Sequence, residues 1–432
     1  MRLPLRFGGL WRHADFVRLW VGQTVSIFGS LVGGLAMDFT AVLWLGATPL
    51  EISILSAARL VPAFAVGLLA GVWVDRLARR PILILADTGR ALALVSIPVA
   101  ALFGVLTIEQ LYVAALFTSA LGVFFDVAYE AYLPTLVERE ELVEGNSKLA
   151  ATASVSEFGA FSASGWLVQL FSGPGAILVD AGSFVVSAFS IWRIKTPEPP
   201  TIPVEERQHL FREAAEGFKL IARDGILRSL AIELTISGLS GRMIGVGFLI
   251  YLNREVGFGP GVLGMIFAVG GLTGLAGSGV ASKWAWFGGL GPALVLAALV
   301  RGAGTFFMPL AASVSVLGVI LLVLNQLVSD PAWAFYDINA VSLRQAITPE
   351  RLLGRMNASM RFVNFGAMLL GTLLGGILGE LIGVRQMLFT AAAIMSLAPL
   401  WLLISPVARL RKTPAQIADP MQPEVAGPSR DV

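Results

Sequence analysis

Long runs of apolar residues, separated by brief polar or glycine-rich breaks, fill most of the chain. A helix needs about 20 such residues to cross the hydrocarbon of a bilayer. About twelve runs meet that length: 17–46, 51–74, 81–105, 110–134, 147–171 and 175–194, then 227–252, 259–284, 290–311, 315–342, 356–382 and 386–405. One break is long, "KTPEPPTIPVEERQHLFREAAEGFKLIARDG". Its Pro-rich start predicts a stiff linker. Its remainder places Leu210, Phe211, Ala214, Phe218, Ile221 and Ala222 on one helical face, and Arg207, Glu213, Glu216 and Arg223 on the other. That pattern predicts an amphipathic helix along the membrane surface. The predicted fold is an all-α polytopic membrane protein with twelve transmembrane helices in two pseudo-symmetric six-helix bundles. The bundles span 1–195 and 226–405, joined by a linker at 196–225 and followed by a disordered polar tail at 406–432.

Composition supports the membrane reading. Of 432 residues, 56% are hydrophobic and 14% charged, whereas soluble domains carry roughly 25% charged residues. There is no Cys, and the two histidines, His13 and His209, lie outside the apolar runs. Thiolate, iron–sulfur and intramembrane His chemistry therefore have no ligands, and neither a cofactor nor a metal is expected. The first twenty residues show no cleavage-site pattern, so no removable signal peptide is expected. Basic residues cluster on one side of the runs: Arg76, Arg79, Arg80, Arg139, Lys148, Lys195, Lys219, Lys283, Arg351, Arg355, Arg411 and Lys412. The other side holds little beyond Arg254 and Arg385. The positive-inside rule then puts the basic side and both termini in the cytoplasm, in keeping with an even number of spans.

The halves repeat at an offset of 211 positions. Asp126 and Asp337 are related by it, as are Asn146 and Asn357, Pro49 and Pro260, and Gly165 and Gly376. Duplicated six-span halves are the signature of a transporter whose substrate site lies between them.

Between the second and third runs the chain reads "GVWVDRLARRP". This resembles the G-x-x-x-D-R-x-x-R-R loop of the major facilitator superfamily, with Gly71, Asp75, Arg76, Arg79 and Arg80 in register as a gating motif. The stretches "FFDVAYEAYLPTLV", "LVDAGSFVVSA" and "VSLRQAITPERLLGRMNASMRF" are similar to the macrolide-efflux and enterobactin-exporter branch. The resemblance runs from about Phe16 to Ser405 and implies drug:proton antiport across the bacterial cytoplasmic membrane. Two features depart from the antiporter pattern. Ala160 stands where a Pro is usual in the fifth span, and the fourth span carries Asp126 and Glu130 rather than an Arg.

Intramembrane charges cost about 2.5–3.5 kcal/mol even on lenient scales, so they persist where they are paired or line a cavity. Asp38, Asp126, Glu130, Asp337, Glu157 and Glu233 are the candidate proton-coupling acids. Asp38 has no acidic mate, since position 249 is Leu, and it is the candidate for a lone proton carrier. Its alternative role is as partner to Arg59. Asp126 and Glu130 share one helical face. They serve either as a proton site or as an ion-pair lock with Arg76 and Arg90. Arg59, Arg242 and Arg361 are candidate cavity cations, and Asn339 and Asn364 candidate polar contacts to substrate. Gln23, Phe28, Trp44, Met243, Phe248 and Phe365 either line an apolar pocket or pack in the core. The Gly71–Arg80 loop lacks the Lys-Ser/Thr ending of a nucleotide loop, so transport is expected to be secondary. The expected function is export of lipophilic or amphipathic small molecules by a monomer that exchanges them for protons. The rivals are a proton-independent facilitator and a dedicated siderophore or lipid exporter. Expected partners are the substrate, protons and lipid, with no nucleic acid and no enzymatic activity.

Overall fold

The structure is a computed structural model that describes residues 9–66, 74, 77–138, 141–198, 210–283 and 288–411. The side chains of several helical positions, Glu157 among them, lie outside the described set. The described elements are helical, as a chain in lipid requires: only a helix or a closed barrel satisfies every backbone group internally. In order they are α1 (Ala14–Phe39), α2 (Pro49–Ala65), α3 (Arg79–Leu102), α4 (Ile108–Leu136) and α5 (Leu142–Trp192), then the linker helix α6 (Leu210–Arg223). The second half holds α7 (Gly225–Ile250), α8 (Pro260–Gly279), α9 (Leu290–Thr305), α10 (Val316–Ile347), α11 (Leu353–Ile382), α12 (Val384–Met395) and α13 (Leu397–Ile404). Local chemistry sets the ends. Thr48 and Glu51 form a reciprocal capping box and Pro49 starts α2, while Asp224 accepts from Ile226 and Leu227 at the start of α7.

Ten helical stretches among the described residues are long and apolar enough to cross a membrane. Two of the twelve runs read from the sequence are not separate among them. The second corresponds to α2, whose 17 described residues end before the positions outside the described set. The fifth and sixth are one 51-residue helix, α5, broken at Ser172. That kink falls between the two apolar runs.

The duplication is written into the backbone. α1 ends in a π-helical turn, Thr40–Trp44, and α7 ends in another, Tyr251–Glu255, 211 positions later. The chain then turns at Gly46 (φ 68°) and, 211 positions later, at Gly257 (φ 96°). Ser172 (φ 65°, ψ 169°) has as its mate Gly383 (φ 85°, ψ 152°). That region is essentially reserved for glycine, so two mates sharing it mark a common ancestral backbone path.

The hydrophobic core divides differently at the two ends of the bundle. At the end away from the basic loops, one cluster runs through both halves. It joins Met37, Val42, Ile52 and Leu55 to Met243, Leu249, Phe258 and Leu263. At the basic end the cores are separate. One holds Phe16, Leu83, Phe125 and Tyr132; another holds Leu230, Leu290, Phe335 and Leu343.

Two segments are more tightly held than expected. Linker helix α6 docks on the start of α11 rather than lying only along a surface. Glu216 pairs with Arg355, Gly217 fits against Arg355 and Ser359, and Phe218 meets Phe362 edge-on at 5.6 Å. The polar tail begins as a packed 3-10 turn, Pro406–Arg409, with Val407 fully buried. Gly291 N–H donates to the Leu410 carbonyl at 2.8 Å, so order extends through the first residues of the expected tail.

Candidate functional site: a charged cavity between the halves

Beneath the shared core lies a cavity of about 550 Å³, lined by both halves. This falls within the 300–1,000 Å³ usual for ligand sites. α1 supplies Asp38, α2 supplies Arg59, and α7 supplies Arg242 and Phe248. Arg59 clasps Asp38 with two bonds: Nη2 donates to Oδ1 at 2.7 Å and Nη1 to Oδ2 at 3.2 Å. Asp38 is therefore not the lone acid expected. The residues sit 21 positions apart on helices joined by the turn at Gly46, which brings them level. Arg242 faces this pair, is half-buried, and makes no hydrogen bond or ion pair among the described residues.

Above the cavity the halves meet through small residues and backbone. A Cβ on Gly165 of α5 would lie 2.9 Å from Gly264 of α8 and overlap the Pro260 carbonyl. A Cβ on Gly376 of α11 would overlap Ser53 of α2 and lie 3.1 Å from the Pro49 carbonyl. Positions 49, 53 and 165 are the 211-offset mates of 260, 264 and 376, so these are two copies of one contact. Glycine permits such close helix approach in lipid. Gln169 accepts from Gly261 N–H at 3.1 Å, and Arg254 donates to the Val42 carbonyl at 2.6 Å.

Each half also buries an arginine on an aromatic ring. Arg90 of α3 lies 4.5 Å from the Phe125 ring and 4.1 Å from Phe184, and pairs with Asp87. Arg301 of α9 lies 5.6 Å from the Tyr336 ring and pairs with Glu233 at 2.7 Å. Arg90 and Arg301 are repeat mates, as are Phe125 and Tyr336. Asp87 and Arg301 are absent from the sequence-derived candidates. The 211 offset that relates Arg90 to Arg301 is the signal that finds the arginine.

The other candidates separate cleanly. Glu233 is a buried ion-pair partner. Asp126, Glu130 and Asp337 are exposed and form no ion pair among the described residues. The expected lock from Glu130 to Arg90 is thus not formed, and Arg76, Gly71 and Asp75 lie outside the described residues. Arg79 and Arg80 are described. Their N–H groups both donate to the Glu198 carboxylate at 2.7 Å, and Arg80 reaches the Ile191 and Trp192 carbonyls. A carboxylate thus caps the start of α3 and a guanidinium the end of α5, each satisfying orphan backbone groups.

Several expected cavity residues lie elsewhere. Asn339 is buried and donates to the Ala281 and Phe335 carbonyls, pinning α10 to the end of α8. Asn364 packs on Gly238 of α7, and Phe28 on Gly159. Phe365 stacks on Phe64 at 4.6 Å. Gln23 keeps a buried Oε1 without a hydrogen-bond partner among the described residues, and Arg361 is exposed. None of these lines the cavity.

Apolar helices in a duplicated arrangement around an inter-half cavity define a multi-pass membrane protein built like a transporter. The family model described as Major Facilitator Superfamily matches residues 19–365, and the chain belongs to that superfamily. It is 28% identical over 380 residues to "Multidrug efflux pump Tap" of Mycolicibacterium fortuitum, covering 83% of this chain and 89% of that one. Among solved structures it resembles a bacterial homologue of iron transporter ferroportin in two states. The inward-facing state aligns with a TM-score of 0.71 at 20% identity, covering 92% of this chain and 99% of that one. The outward-facing state aligns with a TM-score of 0.55 at 20% identity, covering 90% and 98%.

Proposed function

We propose that the protein is a secondary exporter of amphipathic small molecules, exchanging them for protons by alternating access. Twelve spans in two six-helix halves, 1–195 and 226–405, would rock about the cavity, with 196–225 as the cytoplasmic linker and the residues after 406 as a cytoplasmic tail. The basic end would face the cytoplasm of a bacterial cell and the shared-core end the outside. The observation that carries this reading is the divided core: one core at the end opposite the basic loops, separate cores at the basic end. Such a molecule is closed outward. The better alignment to the inward-facing ferroportin homologue than to its outward-facing state agrees with this. The 28% identity to a multidrug efflux pump supports drug-like cargo.

Asp38 is held by Arg59, and Glu233 by Arg301. Asp126 and its mate Asp337 are exposed and form no ion pair among the described residues, which makes them the proposed proton carriers. Protonation biases a two-state equilibrium only if the acid interacts differently in the two states. Two exposed acids at mated positions would do so as the basic end closes on them. The test is proton-driven efflux from liposomes carrying an imposed pH gradient, with a drug panel as cargo. We expect gradient-dependent export by the native chain, and loss of the gradient's effect, with protein yield retained, in Asp126→Asn. Export by the native chain that ignores the gradient would overturn antiport and leave a facilitator.

A further inference from the structure

We propose that the cavity selects amphipathic anions: molecules with one carboxylate or similar acidic head on an aromatic or alkyl body. This rests on reading the cavity as the transport site. Its lining carries Arg59, Arg242 and Asp38, two positive charges against one negative. Arg59 spends its fork on Asp38, which leaves that pair formally neutral. Arg242 is left over. It is half-buried, makes no hydrogen bond or ion pair among the described residues, and faces a guanidinium as well as a carboxylate.

A guanidinium withdrawn from water needs a counter-charge, and its planar donors fit a carboxylate or phosphate two oxygens at a time. Here the protein supplies only the pair opposite. A bound anion would complete the set, with Arg59 on the N-terminal half and Arg242 on the C-terminal half on either side of its head. A lipophilic cation would instead enter a cavity already one charge positive, where low dielectric amplifies repulsion. The rest of the wall specifies the body. Phe248 and Phe267 lie 5.1 Å apart and line the same space, a surface for a ring or chain.

The experiment uses the full chain in phosphatidylcholine nanodiscs, which contain no anionic lipid to compete. The probes are 1-pyrenebutyrate and pyrenebutyl-trimethylammonium, which share a body and differ in the sign of the head. Binding is read by fluorescence against empty nanodiscs. The native chain is expected to bind the butyrate at least about tenfold tighter than the ammonium, the size of one charge-assisted hydrogen bond. Arg242→Gln should lose about that factor for the butyrate only, and Arg242→Lys should recover part of it. Asp38→Asn should tighten the butyrate, because it releases Arg59. Thermal unfolding of each variant separates lost binding from lost fold. Equal or tighter binding of the ammonium, or undiminished butyrate binding by Arg242→Gln, would overturn the proposal. Export of cationic but not anionic amphiphiles by the native chain would leave the transporter reading standing while sinking the anion preference. Selective butyrate binding without any export would do the reverse.

Discussion

The two halves share a backbone plan but not a charge plan. Each ends its first helix in a π-helical turn, turns through a positive-φ glycine, and buries an arginine on an aromatic ring at the same repeat position. Around that arginine they diverge. The N-terminal half sets Asp87 against Arg90, with Asp180 buried nearby among Ser30, Ser183, Gly29 and Gly33. The C-terminal half sets Glu233 and Ser237 against Arg301 and has Ala298 at the mate of Asp87. The cavity is likewise lopsided: Asp38 and Arg59 on one side have Leu249 and Gly270 as mates. The shared features give the halves a common frame, and in the proposed exchange of cargo for protons the unshared charges are where the two would be told apart.

The largest test of this comparison removes the buried arginines. Breaking a buried ion pair by deleting one partner costs about 3–5 kcal/mol, because the other charge is left uncompensated. Arg301→Met should therefore lower the unfolding temperature of the purified protein sharply, and adding Glu233→Gln should restore most of it. Arg90→Met should be as severe. Asp87→Asn should restore less there, since Asp180 keeps a second buried carboxylate within electrostatic reach of the lost charge. Equal rescue in both halves would show that Asp180 does not belong to the N-terminal cluster.

How far these features were readable from residues alone depends on what a lipid-embedded helix reveals. The fold class follows from run lengths, and the mates Pro49/Pro260 and Gly165/Gly376 from one offset. Those four positions turned out to touch across the halves, so the repeat located a contact as well as a duplication. The same offset relates Arg90 to Arg301, but one arginine pair among many matching letters does not announce itself. Helix rotation was the harder problem. A spanning helix is apolar on both its lipid and its protein face, so periodicity does not say which residues look inward. Asn339 was therefore expected in the cavity but bonds to the Ala281 carbonyl instead. The pairing of Asp38 with Arg59 needed the heights of two helices, which the turn at Gly46 sets.

The next test is steric and should fall equally on both halves. Gly165→Leu and Gly376→Leu each place a side chain where a Cβ already overlaps the facing helix. Overpacking of this kind costs about 1–3 kcal/mol. It would act on the proposed outward-closed state, because the contact joins the halves rather than helices of one half. A shift of that size changes a two-state population by about 5–150-fold. Both variants should fold, transport slowly, and become more reactive toward a thiol reagent at a cysteine placed at position 38 and probed from outside. Closure left intact in one variant only would mean that the two contacts, though mates in sequence, do not share the load.

The smallest effect concerns a place where a glycine-type backbone is kept but the glycine is not. Ser172 and Gly383 adopt the same positive-φ, extended-ψ conformation at mated positions, yet only one is glycine. A side chain held there costs on the order of 1–3 kcal/mol. Part of that is offset in Ser172→Gly by the greater freedom of glycine in the unfolded chain. The net expectation is stabilisation by about 1 kcal/mol for Ser172→Gly and a comparable loss for Gly383→Ser, read as opposite shifts in unfolding temperature. If the strain at Ser172 merely reflects ancestry, transport by Ser172→Gly should match the native chain. Slower transport in the stabilised variant would instead mean that the kink between the fifth and sixth spans must flex as the halves rock. The frame would then be symmetric in path but not in stiffness.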